Sequence, residues 1–129
     1  MTTKVVLDSS AVTRLAERST TAAALVVTLM EEGLWPPVVP SVVLVECLQG
    51  HGTSDALENR LLASCDVVEE LPASLARRAA LLRRRARRGS AVDALVIASA
   101  EPGGLVLTSD LEDLEALAVH ADEVAVERV

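Results

Sequence analysis

The chain has 129 residues, a formal net charge of −7 and a composition that is 50% hydrophobic yet holds no Phe or Tyr and a single Trp. That length suits one domain with a real core and is too short for two comfortable ones, so residues 1–129 are expected to form one unit. No uncharged apolar run reaches about 18 residues, Asp8 comes too early for a signal peptide, and Cys47 and Cys65 sit in no CxxC pattern. These features argue against a membrane span, a disulfide framework and a structural zinc site, and predict a cytoplasmic protein whose two cysteines are small buried residues.

Residues 4–7 form a short apolar run that stops at Asp8-Ser9-Ser10, a strand followed by residues that favour helix N-caps. The next helix shows Ala11, Leu15 and Arg18 on one side. Thr20-Thr21 can cap a second through Ala22, Leu25, Val26, Leu29 and Met30, which Gly33 ends. Pro36, Pro37 and Pro40 permit only a brief extended segment, after which Ser41 is expected to cap a helix over residues 42–46 toward Gly50. Thr53 or Ser54 opens another helix through Leu57, Leu61 and Leu62, and residues 66–71 read as a third strand. Beyond Pro72, the apolar positions Leu75, Ala79 and Leu82 mark a long helix otherwise rich in arginine, closed by Gly89. Ser90 starts a strongly apolar helix over residues 92–100, and Pro102-Gly103-Gly104 breaks the chain before a strand over 105–107. A short helix over 111–117 and an extended run near 123–126 finish the chain. Strands alternating with helices, apolar on both faces, predict an α/β fold: a central, mostly parallel sheet of about four to five short strands flanked by helices on both faces.

The negative net charge speaks against a nucleic-acid partner, which needs positive surface for its phosphates. Its distribution reverses that impression. Arg77, Arg78, Arg83, Arg84, Arg85, Arg87 and Arg88 fall in one segment, whereas from Ala91 onward Arg128 is the only basic residue. The run either solvates a helix face or forms, through Arg84, Arg85 and Arg88, a phosphate-binding rim. Without Phe or Tyr, stacking of bases on aromatic side chains is almost excluded, so recognition would rest on backbone charge and shape.

Both Asp8 and Asp110 directly follow apolar strands, and in open parallel sheets ligand sites form outside the carboxyl ends of strands. Asp93 lies in the first turn of an apolar helix, and Glu46 interrupts another between Val45 and Cys47. Each has a plainer use: Asp8 and Asp110 as helix caps, Asp93 in a capping box with Ser90, Glu46 as an exposed or ion-paired residue. Together they form an ordered set across the whole chain. Several carboxylates in one crevice repel one another, and a hard cation such as Mg2+ or Mn2+ removes that penalty. Asp113, three residues after Asp110, can face the same way if the segment is helical. Ser10 and Thr108 can hydrogen-bond the carboxylates, bind phosphate, or simply cap. His51 and His120 lack a paired ligand spacing, and Ser9 and Ser10 sit in no GxSxG context. A receiver-like phosphorylation domain also fails, because its late lysine is missing: Lys4 is the only lysine.

The segments Val5-Val6-Leu7-Asp8-Ser9-Ser10-Ala11, Val45-Glu46, Val92-Asp93-Ala94-Leu95-Val96-Ile97-Ala98 and Leu107-Thr108-Ser109-Asp110-Leu111-Glu112-Asp113-Leu114 resemble the PIN-domain family, more narrowly its VapC-type ribonuclease toxins. Leu114 stands where the family often has Phe, a departure that bears on packing. The resemblance implies an acidic quartet of Asp8, Glu46, Asp93 and Asp110, with Asp113 as a possible fifth member. It further implies Mg2+- or Mn2+-dependent endoribonuclease activity leaving 5′-phosphate and 3′-hydroxyl ends, an RNA substrate, a cognate antitoxin protein and a homodimer. The quartet, with Asp113 optional, then forms the metal site: Asp8 and Asp93 are its foremost ligands, Asp110 supports them and Glu46 positions a metal-bound water. The competing expectation is a catalytically inactive PIN-like module that binds RNA or protein.

Overall fold

The computed structural model describes residues 3–129. Five strands, β1 (Val5–Leu7), β2 (Val38–Pro40), β3 (Asp66–Val68), β4 (Leu105–Thr108) and β5 (Ala125–Arg128), make one sheet in the order β3-β2-β1-β4-β5, and every neighbouring pair is parallel. Between them lie α1 (Ser9–Ala16), α2 (Thr20–Glu31), a 3₁₀ turn (Ser41–Val43), α3 (Leu44–Cys47), α4 (Ala56–Leu62), α5 (Ala73–Ala86), α6 (Ala91–Ala100) and α7 (Leu111–Ala118). The α/β architecture expected from the alternation of elements is the one observed.

Parallel neighbours need a crossover, and right-handed crossovers fix which face each helix takes. The chain first steps outward from β1 to β2 and β3, then jumps back to β4 and on to β5. Reversing direction puts the later helices on the opposite face. Accordingly α1 packs on β1 and β4 with α2, α3 and α4 beside it, whereas α6 packs on β1, β2 and β4 with α5 and α7 beside it. The reversal also makes the junction of the paired strands β1 and β4 the switch point, where the connections leaving their carboxyl ends diverge and open a crevice.

The core lies where β1 and β4 are sandwiched, with Val5, Val6, Leu7, Val106 and Leu107 buried against Val12 and Leu15 of α1 and Ile97 of α6. Aliphatic side chains fill the volume that aromatics take elsewhere, and full burial of each stabilises by about 1.5–3 kcal/mol. The α6 helix runs antiparallel to β1. Lys4, just before β1, donates through Nζ to the Ser99 carbonyl at 2.8 Å, while Asp93 at the other end of α6 feels the charge of Asp8 beyond β1. The turn after α6 is tight enough to require glycine: a Cβ on Gly104 would lie 2.3 Å from the Ala100 carbonyl oxygen, to which the Gly104 N–H donates at 2.8 Å.

Several boundaries differ from the sequence expectation, each for an identifiable physical reason. Arg18 is exposed and left-handed (φ 57), so it lies beyond α1 rather than on its side. Ser19, not Thr20 or Thr21, caps α2 by accepting from the Ala22 N–H at 3.1 Å. The helix expected after Ser41 starts as a 3₁₀ turn and stops at Cys47, where Leu48 turns extended. Asp55 rather than Thr53 or Ser54 precedes α4, and its carboxylate accepts from the N–H groups of Gln49, Gly50 and His51 at 2.9, 2.9 and 3.1 Å. Those three donors hold the Asp55 carboxyl below the usual range, Gln49 contributing most. Strand β3 ends at Val68 because its partner there is Pro40, the last residue of β2. Strand β5 starts at Ala125, after the left-handed Glu123 (φ 54). Both cysteines are half-buried, and burial pushes each thiol up to about 11.

Candidate active site at the carboxyl ends of β1 and β4

Register places Leu7 beside Leu107, so the residues that follow, Asp8 and Thr108, face each other across the switch point. Asp8 caps α1: its Oδ1 accepts from the Ala11 N–H and from the Ser10 hydroxyl, both at 2.8 Å. Its Oδ2 accepts from the fully buried Thr108 hydroxyl at 2.5 Å, and that hydroxyl oxygen accepts from the Asp110 N–H at 2.9 Å. Ser10 Oγ also accepts from the Ser109 N–H at 2.9 Å. Two chain segments nearly a hundred residues apart are thereby locked around one buried carboxylate. Such charge-assisted bonds are the strong ones, and the amino end of α1 adds a favourable dipole.

Asp93 completes a capping box with Ser90: Oδ2 accepts from the Ser90 N–H at 3.1 Å, and Ser90 Oγ accepts from the Asp93 N–H at 3.0 Å. The residue is half-buried. Burial pushes its carboxyl above the usual range, the Ser90 hydrogen bonds pull it back, and the negative charges of Asp113 and Asp8 push it further up. No ion pair to Asp8 or Asp93 occurs among the described residues. Asp113 is held by Arg88, whose Nε donates to its Oδ1 at 3.1 Å, and Glu112 accepts from Arg88 Nη2 at 2.8 Å.

Glu46 is exposed on α3 and lines a cleft of about 290 Å³ with Ser9, Ser10 and Ser109, the residues that surround Asp8. Asp110 precedes α7 with an exposed side chain that makes no capping bond, leaving its carboxylate open to solvent. Asp8 is thus the common neighbour. Ser10 links it to the cleft with Glu46, Thr108 links it to the Asp110 backbone, and its charge reaches Asp93. Arg84 and Arg85 are exposed near the end of α5, and no ion pair to either occurs among the described residues. Sequence reasoning did not single out Arg14, Glu17 and Glu112. The first two line the same cleft, and their spacing from Ser10 at one helical face was the available signal.

As the side chains stand, no group of three or more His, Cys, Asp or Glu residues among those described is placed to hold a metal ion. In donor chemistry and charge the set nevertheless fits a hard divalent cation. The donors are carboxylate oxygens, and the charges of Asp8 and of the Arg88-paired Asp113 both bear on the half-buried Asp93, which has no ion pair of its own among the described residues.

A doubly wound parallel sheet with carboxylates beyond its two central strands defines an α/β domain built around an acidic crevice. The chain belongs to the PIN domain family, whose model matches residues 5–119. PIN domains are generally a nuclease fold and usually employ divalent metals. The crystal structure of PAE2754 from Pyrobaculum aerophilum is similar in fold: its TM-score is 0.60 at 18% sequence identity, over 98% of this chain and 92% of that one. No curated protein matches the chain.

Proposed function

We propose that this chain is a metal-dependent endoribonuclease acting on RNA, the toxin of a type II toxin–antitoxin pair of the VapC type. The observation that carries the reading is the half-buried Asp93 carboxylate in the first turn of α6, within electrostatic reach of Asp8 and Asp113 and with no ion pair of its own among the described residues. Asp8 and Asp93 would hold Mg2+ or Mn2+, with Asp110 and optionally Asp113 in support. The ion would supply Lewis-acid activation and charge neutralisation at the scissile phosphate. Glu46, on the wall of the cleft, orients the attacking water and accepts its proton. Ser10 and Thr108 keep the Asp8 carboxylate fixed. Arg84 and Arg85 offer phosphate contacts, and with Trp35 the only aromatic, RNA is gripped by its backbone.

The partner assignment has its own support. An apolar groove of about 520 Å³ between α1, α2 and α4 is lined by Val27, Met30, Trp35, Leu57 and Leu61. Val27, Met30 and Leu57 are each about half exposed, which suits a cognate antitoxin segment, and the apolar α2 and α3 surfaces suit a homodimer. No helix among the described residues is long and apolar enough to cross a membrane, in keeping with a cytoplasmic enzyme.

A second reading, a catalytically inactive PIN-like module that binds RNA or protein, draws on a specific observation: Asp8 and Asp93 both serve as helix caps. Calorimetric titration with Mg2+ or Mn2+ and an RNA cleavage assay on wild type and Asp93→Asn separate the two. The nuclease reading expects saturable binding and cleavage, both lost in Asp93→Asn. Cleavage by Asp93→Asn at the wild-type rate, or no saturable metal binding by wild type, overturns it in favour of the binding module.

A further inference from the structure

Arg88 lies in the short joint between α5 and α6, and its backbone is fixed on both sides. Arg87 is left-handed (φ 55), as is Gly89 (φ 87), where a Cβ would come within 2.7 Å of Leu117 Cδ1 on α7. Arg83 Nε donates to the Gly89 carbonyl at 3.2 Å. From this joint the Arg88 guanidinium is shared between two carboxylates in the first turn of α7, Asp113 and Glu112. Asp113 is also the charge that bears most strongly on Asp93. Arg88 therefore sits on the acid whose charge reaches Asp93 most strongly.

We propose that Arg88 is an exchangeable counter-ion of the acidic site, which neutralises Asp113 while no divalent cation is bound and releases it when one binds. The proposal rests on the metal-dependent reading above. A half-exposed guanidinium pair is weak enough to be displaced, whereas a hard divalent ion prefers the same carboxylate oxygens. Released, Arg88 stands beside Arg84 and Arg85 as a further phosphate contact, so metal loading and RNA binding are coupled through one side chain. Arg88 is then a positioning residue in the metal-free protein and a substrate contact afterwards.

Titration of the full chain with MnCl2 in a calorimeter tests this. Arg88→Ala should bind Mn2+ roughly three- to tenfold more tightly than wild type, because no guanidinium has to be displaced. Arg88→Lys, which keeps the charge but not the two-pronged geometry, should fall between them. In 15N-labelled wild type, Mg2+ should shift the Arg88 Nε–H resonance, and in Asp93→Asn it should not. A structural role for Arg88 predicts weaker metal binding, the opposite sign. If Asp93→Asn loses Mn2+ while Arg88→Ala binds it no better than wild type, the counter-ion role falls and the metal reading stands. If neither wild type nor Arg88→Ala binds Mn2+ saturably, both fall.

Discussion

Replacing Thr108 by Val removes one buried hydroxyl and keeps the side-chain shape nearly unchanged. The two shortest interactions lost are the donation to Asp8 Oδ2 and the acceptor for the Asp110 N–H, and the longer contacts with Ser10 Oγ at 3.1 Å and the Asp110 carbonyl at 3.2 Å go with them. A hydrogen bond to a charged group contributes about 1.5–3 kcal/mol and one to a neutral amide about 1 kcal/mol. The penalty is close to its upper range here because Thr108 is fully buried and Asp8 is only 6% exposed, so water cannot replace the donor. Thr108→Val should therefore lose about 2–4 kcal/mol, a large part of a domain's usual stability. For a chain of this length that is a fall in Tm of about 8–15 °C. Urea denaturation and scanning calorimetry measure it, with Thr108→Ser as the variant that restores the hydroxyl. In a double-mutant cycle with Asp8→Asn, the two changes should couple by at least about 1 kcal/mol. A Thr108→Val protein within about 0.5 kcal/mol of wild type, or strict additivity with Asp8→Asn, would refute the claim that this hydroxyl anchors Asp8.

Two further changes probe the frame that carries the site. Arg78 donates to both oxygens of Glu101 at 2.9 and 2.7 Å and holds its carboxyl below the usual range against the opposing effect of burial. A carboxylate with a depressed folded pKa contributes stability that is full above its unfolded pKa of about 4.3 and fades as pH falls through the folded value. Glu101→Gln should thus cost about 1–2 kcal/mol at pH 7, discounted for the partly exposed Arg78, and the gap to wild type should close below about pH 4; a gap that stays constant down to pH 3 contradicts it. Gly104→Ala drives a Cβ into the Ala100 carbonyl and should cost about 2–4 kcal/mol in thermal denaturation, whereas Gly52→Ala, with open space around it, should stay within about 0.5 kcal/mol. Equal effects at the two positions would refute the steric argument.

The features legible in the sequence are those with a local signature. The apolar run before Asp8, the stripe of Leu75, Ala79 and Leu82, and the Ser90 cap each announce an element within a few residues. Alternation then gives the α/β class, and strand-end acids give the crevice. Features made by partners far apart in the chain leave no such mark. Strand β3 stops at Val68 only because β2 stops at Pro40, and nothing in residues 66–71 encodes that. Asp55 shortens the helix after Ser41 by capturing three N–H groups that precede it, a use no periodicity discloses. The Arg88 pairs with Glu112 and Asp113 likewise depend on how α5 and α7 meet. Among the site residues, Asp8, Asp93 and Asp110 were marked by their positions at strand or helix ends. Glu46 depended on context, and its place on the cleft wall comes from the fold of α3 against α1.

Trp35 gives the molecule an optical property that follows from its composition and fold. With no Tyr or Phe, near-ultraviolet emission arises from this single indole. It sits at the amino end of β2 in the groove with Met30 and Leu57, while Asp8 and Asp93 lie at the carboxyl ends of the strands. Intrinsic fluorescence therefore reports on one end of the sheet alone: its wavelength and quenching follow occupancy of the groove and global unfolding, and stay silent to events among the carboxylates. Without any label, one spectrum can separate a ligand bound at the groove from one bound at the acids.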